Sequence, residues 1–170
     1  MEKKAPTAAI LDSQSVRTAS QAGIRGYDAG KKVVGRKRHV LVDTLGLLLG
    51  ISVTEASVQD RDGARDLLSG LLVGGFGWLK RIWADGGYSG KLVEEVAALP
   101  RHRGVELEIV KRRDSLKGFK VLPKRWIVER TFGWLVRNRR LVRDYEVLVD
   151  HSVAMIQISM IKLMLSRIAR

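Results

Sequence analysis

The run from Lys80 to Gly90, KRIWADGGYSG, constrains the fold more than any other stretch, because it is an extended segment that ends on an acid and turns at once. Arg81, Ile82, Trp83 and Ala84 favour an extended backbone, while Gly86 and Gly87 can take angles that other residues resist, so the chain leaves abruptly after Asp85. Helical spacing brackets the run: Ala64, Leu67, Leu68, Leu71 and Leu72 come before it, and Leu92, Val93, Val96 and Ala97 after it. A strand set between two amphipathic helices belongs to a helix-linked sheet, with Asp85 facing a crevice at the strand's end. Taken alone, Asp-Gly-Gly also reads as a hairpin turn without chemistry.

Three further extended runs precede the first helix. Residues Thr7 to Leu11 are apolar and stop at Asp12; strand alternation puts Ala8, Ile10 and Asp12 on one face, although Asp-Ser after a strand also reads as a turn cap. Ala19 to Gly35, with four glycines and the Lys31-Lys32 pair, reads as a mobile basic loop and lacks the spacing of a Walker phosphate loop. Arg36 to Asp43 alternates like a strand with a basic entrance, Lys37 and Arg38. A turn at Thr44 to Gly46 then pairs it with the apolar run Leu47 to Thr54 as a hairpin. His39 reads as a polar strand residue, since no second histidine lies near enough to suggest a ligand pair. After the helix Lys91 to Leu99, stopped near Pro100, a strand spans Val105 to Val110. The expected fold is α/β: a mixed five-stranded sheet, three antiparallel strands followed by helix-linked ones, flanked by helices.

Lysine and arginine total 31 against 18 acids, a formal charge of +13, which points to a polyanionic partner, nucleic acid above all. No apolar stretch approaches the roughly 20 residues that span a bilayer, so no membrane partner is expected. The N-terminus lacks a signal peptide's apolar core, and a cytoplasmic location is expected. Without cysteine there is no thiolate metal site, and any metal must be held by oxygen or histidine. Much of the charge is late in the chain. Lys111 to Lys124 is a dense basic loop, and Arg125 to Arg140 reads as a helix with Val128, Phe132 and Leu135 on its apolar side. Glu129 is the one acid on that helix and could simply pair with Arg125 one turn before it. Asp150 to Arg170 reads as a C-terminal helix, apolar nearly all round, capped by Asp150 or Ser152. Residues 1–145 are expected to form the main domain, with 146–170 as its C-terminal packing helix.

Three acids thus fall on the first strand, the fourth strand and a late helix. A sheet of this order sets the first strand beside the fourth, so Asp12 and Asp85 converge and the helix can bring Glu129 to them. Three carboxylates in one cleft suit magnesium and phosphoryl transfer.

In these contexts, ILDSQSV around Asp12, WADGGYSG around Asp85 and RWIVERTFGWL around Glu129, the chain resembles the DDE transposases, and among them the insertion sequence 5 family. The resemblance runs from about Thr7 to Leu141 and includes the Asp-Gly-x-Tyr run Asp85 to Tyr88 and Arg125 ahead of Glu129. It implies a ribonuclease-H-like fold and Asp12, Asp85 and Glu129 as catalytic ligands of one or two Mg2+ or Mn2+ ions. It also implies cleavage of DNA at element ends and joining of the freed 3′ hydroxyl to target DNA, in a bacterial, nucleoid-associated setting, by a homo-oligomer. Arg125 would contact DNA beside Glu129, with Lys37, Arg38, Arg130 and Arg137 as further phosphate contacts. Leu122 and Val136 stand where the family's signature has tyrosine and lysine, which alters the expected grip on DNA near Glu129. Only eleven residues precede Asp12, so the resemblance covers a catalytic portion without the N-terminal part that reads element ends. A truncated copy, or the second half of a frameshifted protein that works with an N-terminal partner segment, fits that pattern. So do a catalytically silent DNA-binding remnant and an interaction module for a full-length transposase.

Overall fold

A computed structural model of the chain describes residues 5–20, 23–73, 76, 78–98, 104–110 and 124–169. Strand β1 (Ala8–Arg17) runs well past the apolar segment that announces it. Its polar half continues as strand because β3 (Val33–Asp43) pairs with it antiparallel from Ala9 opposite Asp43 to Arg17 opposite Gly35. The ladder satisfies the backbone of residues whose side chains alone would favour a turn. Asp12 therefore sits in mid-strand rather than at a strand's end.

Part of the expected loop is also strand: β2 (Gly26–Asp28) pairs with the start of β3, and β4 (Leu48–Glu55) pairs with the remainder of that same edge. On its other side β1 runs parallel to β5 (Arg81–Ala84), which runs parallel to β6 (Glu106–Ile109). The order β4-β3-β1-β5-β6, with β2 as a short sixth strand, gives a sheet five strands wide. Three antiparallel strands followed by helix-linked parallel ones make this a ribonuclease-H-like α/β fold, as expected.

Helices α1 (Asp60–Val73) and α2 (Lys91–Ala97) cover one face of the sheet, α3 (Arg125–Val136) and α4 (Val149–Ile168) the other. Alternation along β1 divides the core: Ala9 and Leu11 join Leu68, Leu72 and Leu92 on the first face, and Ile10 joins Val128, Leu135 and Ile156 on the second. Helix α3 stops at Val136, short of the expected Arg140. Asn138 has an extended backbone, and its side-chain amide donates to the Trp134 and Leu135 carbonyls, which closes the helix end. On α4 both expected caps, Asp150 and Ser152, lie inside the helix, and the N-cap is Leu148. One side of α4 packs through Ile156 and Met160, while Ile158, Ile161, Leu165 and Ile168 form an exposed row on another. The glycines at 74, 75 and 77, Pro100 and the basic segment 111–123 fall outside the described residues.

The basic start of β3 is the largest departure from expectation. Arg36, Lys37, Arg38 and His39 are all buried, because β1 and β4 flank the strand and helices lie over both faces. Alternation sends Arg36 and Arg38 to one side and Lys37 and His39 to the other. Arg36 donates to the Ile24, Glu146 and Val147 carbonyls, to Ser152 Oγ at 2.7 Å and to Asp144 Oδ1 at 3.2 Å. Arg38 donates to the Leu141 carbonyl. Lys37 Nζ lies 2.9 Å from Asp60 Oδ1 and 3.5 Å from Asp28 Oδ2. Asp144→Ala would leave the Arg36 cation buried without its counter-charge, so urea denaturation should show a loss of about 3–5 kcal/mol.

His39 packs its ring against the backbone of Gly63, where an added Cβ would lie 2.2 Å from Nε2, and Nε2 is 3.0 Å from Thr54 Oγ1. Burial pushes its pKa down to about 4, against the charge of Asp60 and with the charges of Lys37 and Lys31. An unfolded histidine protonates near 6.5, so the unfolded chain takes up this proton first. His39 thus contributes stability that is intact above about pH 6.5 and is lost as pH falls toward 4. An NMR titration should find the His39 ring still neutral at about pH 5.5; a midpoint near the ordinary histidine value would contradict this.

Candidate active site

The sheet register brings two of the three acids together. Ile10 lies opposite Trp83 in the parallel pair β1 and β5, so Asp12 and Asp85, each two residues further on, come side by side on the face that α3 covers. Helix α3 supplies the third acid and is held over that face at several points. Ile127, Val128, Phe132 and Leu135 are buried beneath it. Thr131 Oγ1 donates to the Gly46 carbonyl and Arg130 to the Leu45 carbonyl, each at 2.8 Å, which ties the helix to the β3–β4 turn. At its start the Lys124 ammonium sits 3.5 Å above the Trp83 ring, and Trp83 Nε1 donates to Glu108.

The three carboxylates meet at one guanidinium. Arg125 Nη1 lies 3.5 Å from Asp85 Oδ2, and Nη2 lies 3.7 Å from Asp12 Oδ2 and 4.0 Å from Glu129 Oε1. The local intrahelical pair Arg125–Glu129 is thus present, but it is the longest of the three contacts. Exposure rises across the group, from 13% for the Asp12 side chain through 29% for Asp85 to 58% for Glu129. Burial raises the Asp12 carboxyl to about 6, against the lowering effects of the Ser13 N–H, 2.7 Å from its Oδ1, and of Arg125; the nearby Asp85 charge adds to the rise. Among the described residues no three His, Cys, Asp or Glu side chains are already grouped as ligands around one point.

After Asp85 the chain makes a single 3-10 turn, Gly86–Tyr88, and Asp85 Oδ1 accepts the Gly87 N–H at 2.9 Å. Neither Gly86 nor Gly87 has a positive φ, so the expected need for unusual backbone angles is not met. The requirement at Gly87 is space: a Cβ there would lie 3.1 Å from Asp85 Oδ1. Tyr88 turns into the core under α1, where its hydroxyl is buried and has no hydrogen-bond partner among the described residues. Burial, and then the charges of Asp12 and Asp60, hold its pKa well above the usual phenol range.

Of the five cationic side chains expected to hold phosphates, Arg137 is exposed. Arg130 is partly buried, with its guanidinium 4.6 and 4.7 Å from the Trp126 and Trp134 rings. Arg125 is on the acids, and Lys37 and Arg38 are buried and bonded within the fold, which removes them from any surface contact. Asp60 carries no expectation from the sequence, and Lys31 only that of a basic loop. Asp60, the first residue of α1, sits with its carboxylate beside Gly87, and Lys31 Nζ donates to the Ser13 carbonyl at 3.3 Å. The sequence signal for Asp60 is an acid opening an apolar helical run.

A parallel strand pair carrying two carboxylates beneath a helix carrying a third defines a ribonuclease-H-like fold with an acidic site on its sheet. Residues 3–164 match the family model described as Transposase DDE domain. The chain therefore belongs to the DDE transposase domain family. It is also 34% identical, over 122 residues, to a Burkholderia cepacia protein named as a transposase for insertion sequence element IS402, an alignment covering 68% of this chain and 56% of that protein. The chain thus spans little more than half the length of that relative.

The anchoring of α3 makes Gly46 a sensitive position. Its φ is +79°, and an added Cβ would lie 2.8 Å from Thr131 Oγ1 and 3.0 Å from the Trp134 ring. Gly46→Ala should destabilise the protein by about 1–3 kcal/mol in urea denaturation, whereas Gly70→Ala, inside α1 where a Cβ meets nothing within 4 Å, should be neutral or stabilising.

Proposed function

We propose that this chain is the catalytic domain of an insertion-element transposase, which cleaves DNA at the element's ends and joins the freed 3′ hydroxyl to target DNA. The observation that carries the reading is the meeting of Asp12, Asp85 and Glu129, from three separate elements, at one cationic centre. Family membership and the IS402 relative agree with it. The Asp-Gly-x-Tyr run and the Arg125–Glu129 spacing favour placement in the insertion sequence 5 family. We assign Asp12, Asp85 and Glu129 as the ligands of one or two Mg2+ or Mn2+ ions. Hard carboxylate oxygens that already gather round a positive charge suit such ions by donor type. When bound, the metal would supply the charge stabilisation that phosphoryl transfer requires.

The protein's own part is placement. The sheet holds Asp12 and Asp85 at fixed separation, the Thr131 and Arg130 bonds to the hairpin turn fix α3, and the wetter Glu129 is the acid that substrate DNA reaches first. Arg137, just past the end of α3, with Arg139 and Arg143 beyond it, is exposed and suited to phosphates, and Arg130 between its two tryptophans adds a stacked cation. DNA binding that rests on such contacts weakens steeply with salt. The exposed apolar row on α4 favours an active form that is a homo-oligomer or that docks on a longer transposase chain. No helix among the described residues is long and apolar enough to cross a membrane. DNA as substrate is the reason to place the chain on the bacterial nucleoid, in the cytoplasm. We take residues 1–145 as the catalytic domain and 146–170 as its packing helix.

Asp85→Asn isolates the chemistry, because an asparagine oxygen can still accept the Gly87 N–H while the charge is gone. Cleavage of element-end DNA in magnesium should fall at least about 100-fold, with salt-sensitive DNA binding retained. Unchanged cleavage would remove Asp85 from the site, and a wild-type chain that binds DNA yet gives no product with magnesium would mark a silent remnant.

A further inference from the structure

Two arginines in this molecule hold acids in opposite ways. Arg36 is locked: it has no exposure and donates five hydrogen bonds of 2.7 to 3.2 Å. Arg125 touches three carboxylates, yet each contact, 3.5 to 4.0 Å, is longer than a charge-assisted hydrogen bond of about 2.7–2.9 Å, and its buried Nε has no partner among the described residues. Its side chain is 29% exposed at the first turn of α3, so a path to solvent is open. Charge, rather than directional bonding, keeps it there.

Three carboxylates gathered around one guanidinium carry like charge, and burial makes the ionised form of Asp12 costlier still. A positive charge among them offsets this, and the guanidinium supplies one. A divalent ion held by the same acids would do so more strongly, and the two cations would repel each other at this range.

We propose that Arg125 is a displaceable counter-cation of the acid cluster: it holds Asp12, Asp85 and Glu129 together by charge, competes with a divalent metal for the same oxygens, and leaves as the metal binds. The proposal rests on the assignment of those three acids as metal ligands. It makes the arginine a gate on metal loading, and a phosphate laid across the start of α3 would offer the departing guanidinium a two-pronged partner in exchange.

The test measures Mn2+ binding to the full chain without DNA, by the electron paramagnetic resonance of free Mn2+, for wild type, Arg125→Gln, Arg125→Lys and Asp85→Asn. Arg125→Gln should bind Mn2+ at least about tenfold more tightly than wild type, within the usual range of coupling between two sites. Arg125→Lys keeps the charge and should stay near wild type. Mn2+ should also raise the melting temperature of Arg125→Gln more than that of wild type. Equal or weaker binding by Arg125→Gln, with binding lost in Asp85→Asn, would overturn the counter-cation role and leave the acid site standing. Mn2+ binding that Asp85→Asn does not weaken would overturn both. Should Arg125→Gln fail to fold, Mg2+ titration of the wild type must shift the Arg125 Nε–H resonance, assigned by its absence from Arg125→Lys; an unmoved resonance overturns the proposal.

Discussion

Strand β1 is paired on both edges through Ala9 and Ile10, just before it reaches Asp12, and the other elements take their places from that. Its antiparallel ladder with β3 fixes the hairpin, its short parallel pairing with β5 fixes the helix-linked half, and its alternating side chains divide the two cores. A one-residue slip between β1 and β3 would turn Asp12 toward α1 and Leu11 toward α3. The polar stretch from Ser13 to Arg17 is what guards against such a slip: it adds ladder bonds beyond the apolar run, so the register is set over nearly twice the length that hydrophobicity alone would specify.

Electrostatics shape this protein from within as much as at its surface. A chain with a net charge of +13 would be expected to turn its cations outward, yet four consecutive basic or titratable residues of β3 are inside. Arg36 is matched by Asp144 and Lys37 by Asp60 and Asp28, while Arg38 donates to a backbone carbonyl and, among the described residues, its Nε has no partner. These pairs stitch the sheet to the elements on both of its faces. A buried pair gives modest net stability, but losing one partner is costly, so such pairs favour one arrangement over its competitors.

Much of this was legible in the sequence. The element order, the five-strand width and the convergence of Asp12 with Asp85 follow from apolar periodicity, because each expected strand or helix carries a run of its own. What was hidden has a common cause. Ser13 to Arg17 and Gly26 to Asp28 are strands only because β3 pairs with them, and pairing leaves no local pattern. Lys37 and Arg38 read as a phosphate-binding entrance because their partners lie far along the chain; charge is visible in a sequence, but burial of charge is not. The chain does turn after Asp85, but not through unusual angles at Gly86 and Gly87, since the constraint at Gly87 is clearance for the Asp85 carboxylate. Asp60 was passed over because an acid at a helix start ordinarily serves the helix itself.

The span of the Arg36 network bears on how the molecule comes into being. The side chains that receive this guanidinium, Asp144 and Ser152, are separated from it by 108 and 116 residues. As the chain leaves the ribosome, β1, β3 and β4 can pair early, but the cation at the start of β3 lacks its acid and hydroxyl partners until more than 100 further residues have been made. Contacts of such sequence separation close late and slowly. The β1–β3–β4 half of the sheet should therefore stay open on the side of α3 and α4 until α4 arrives to close over it.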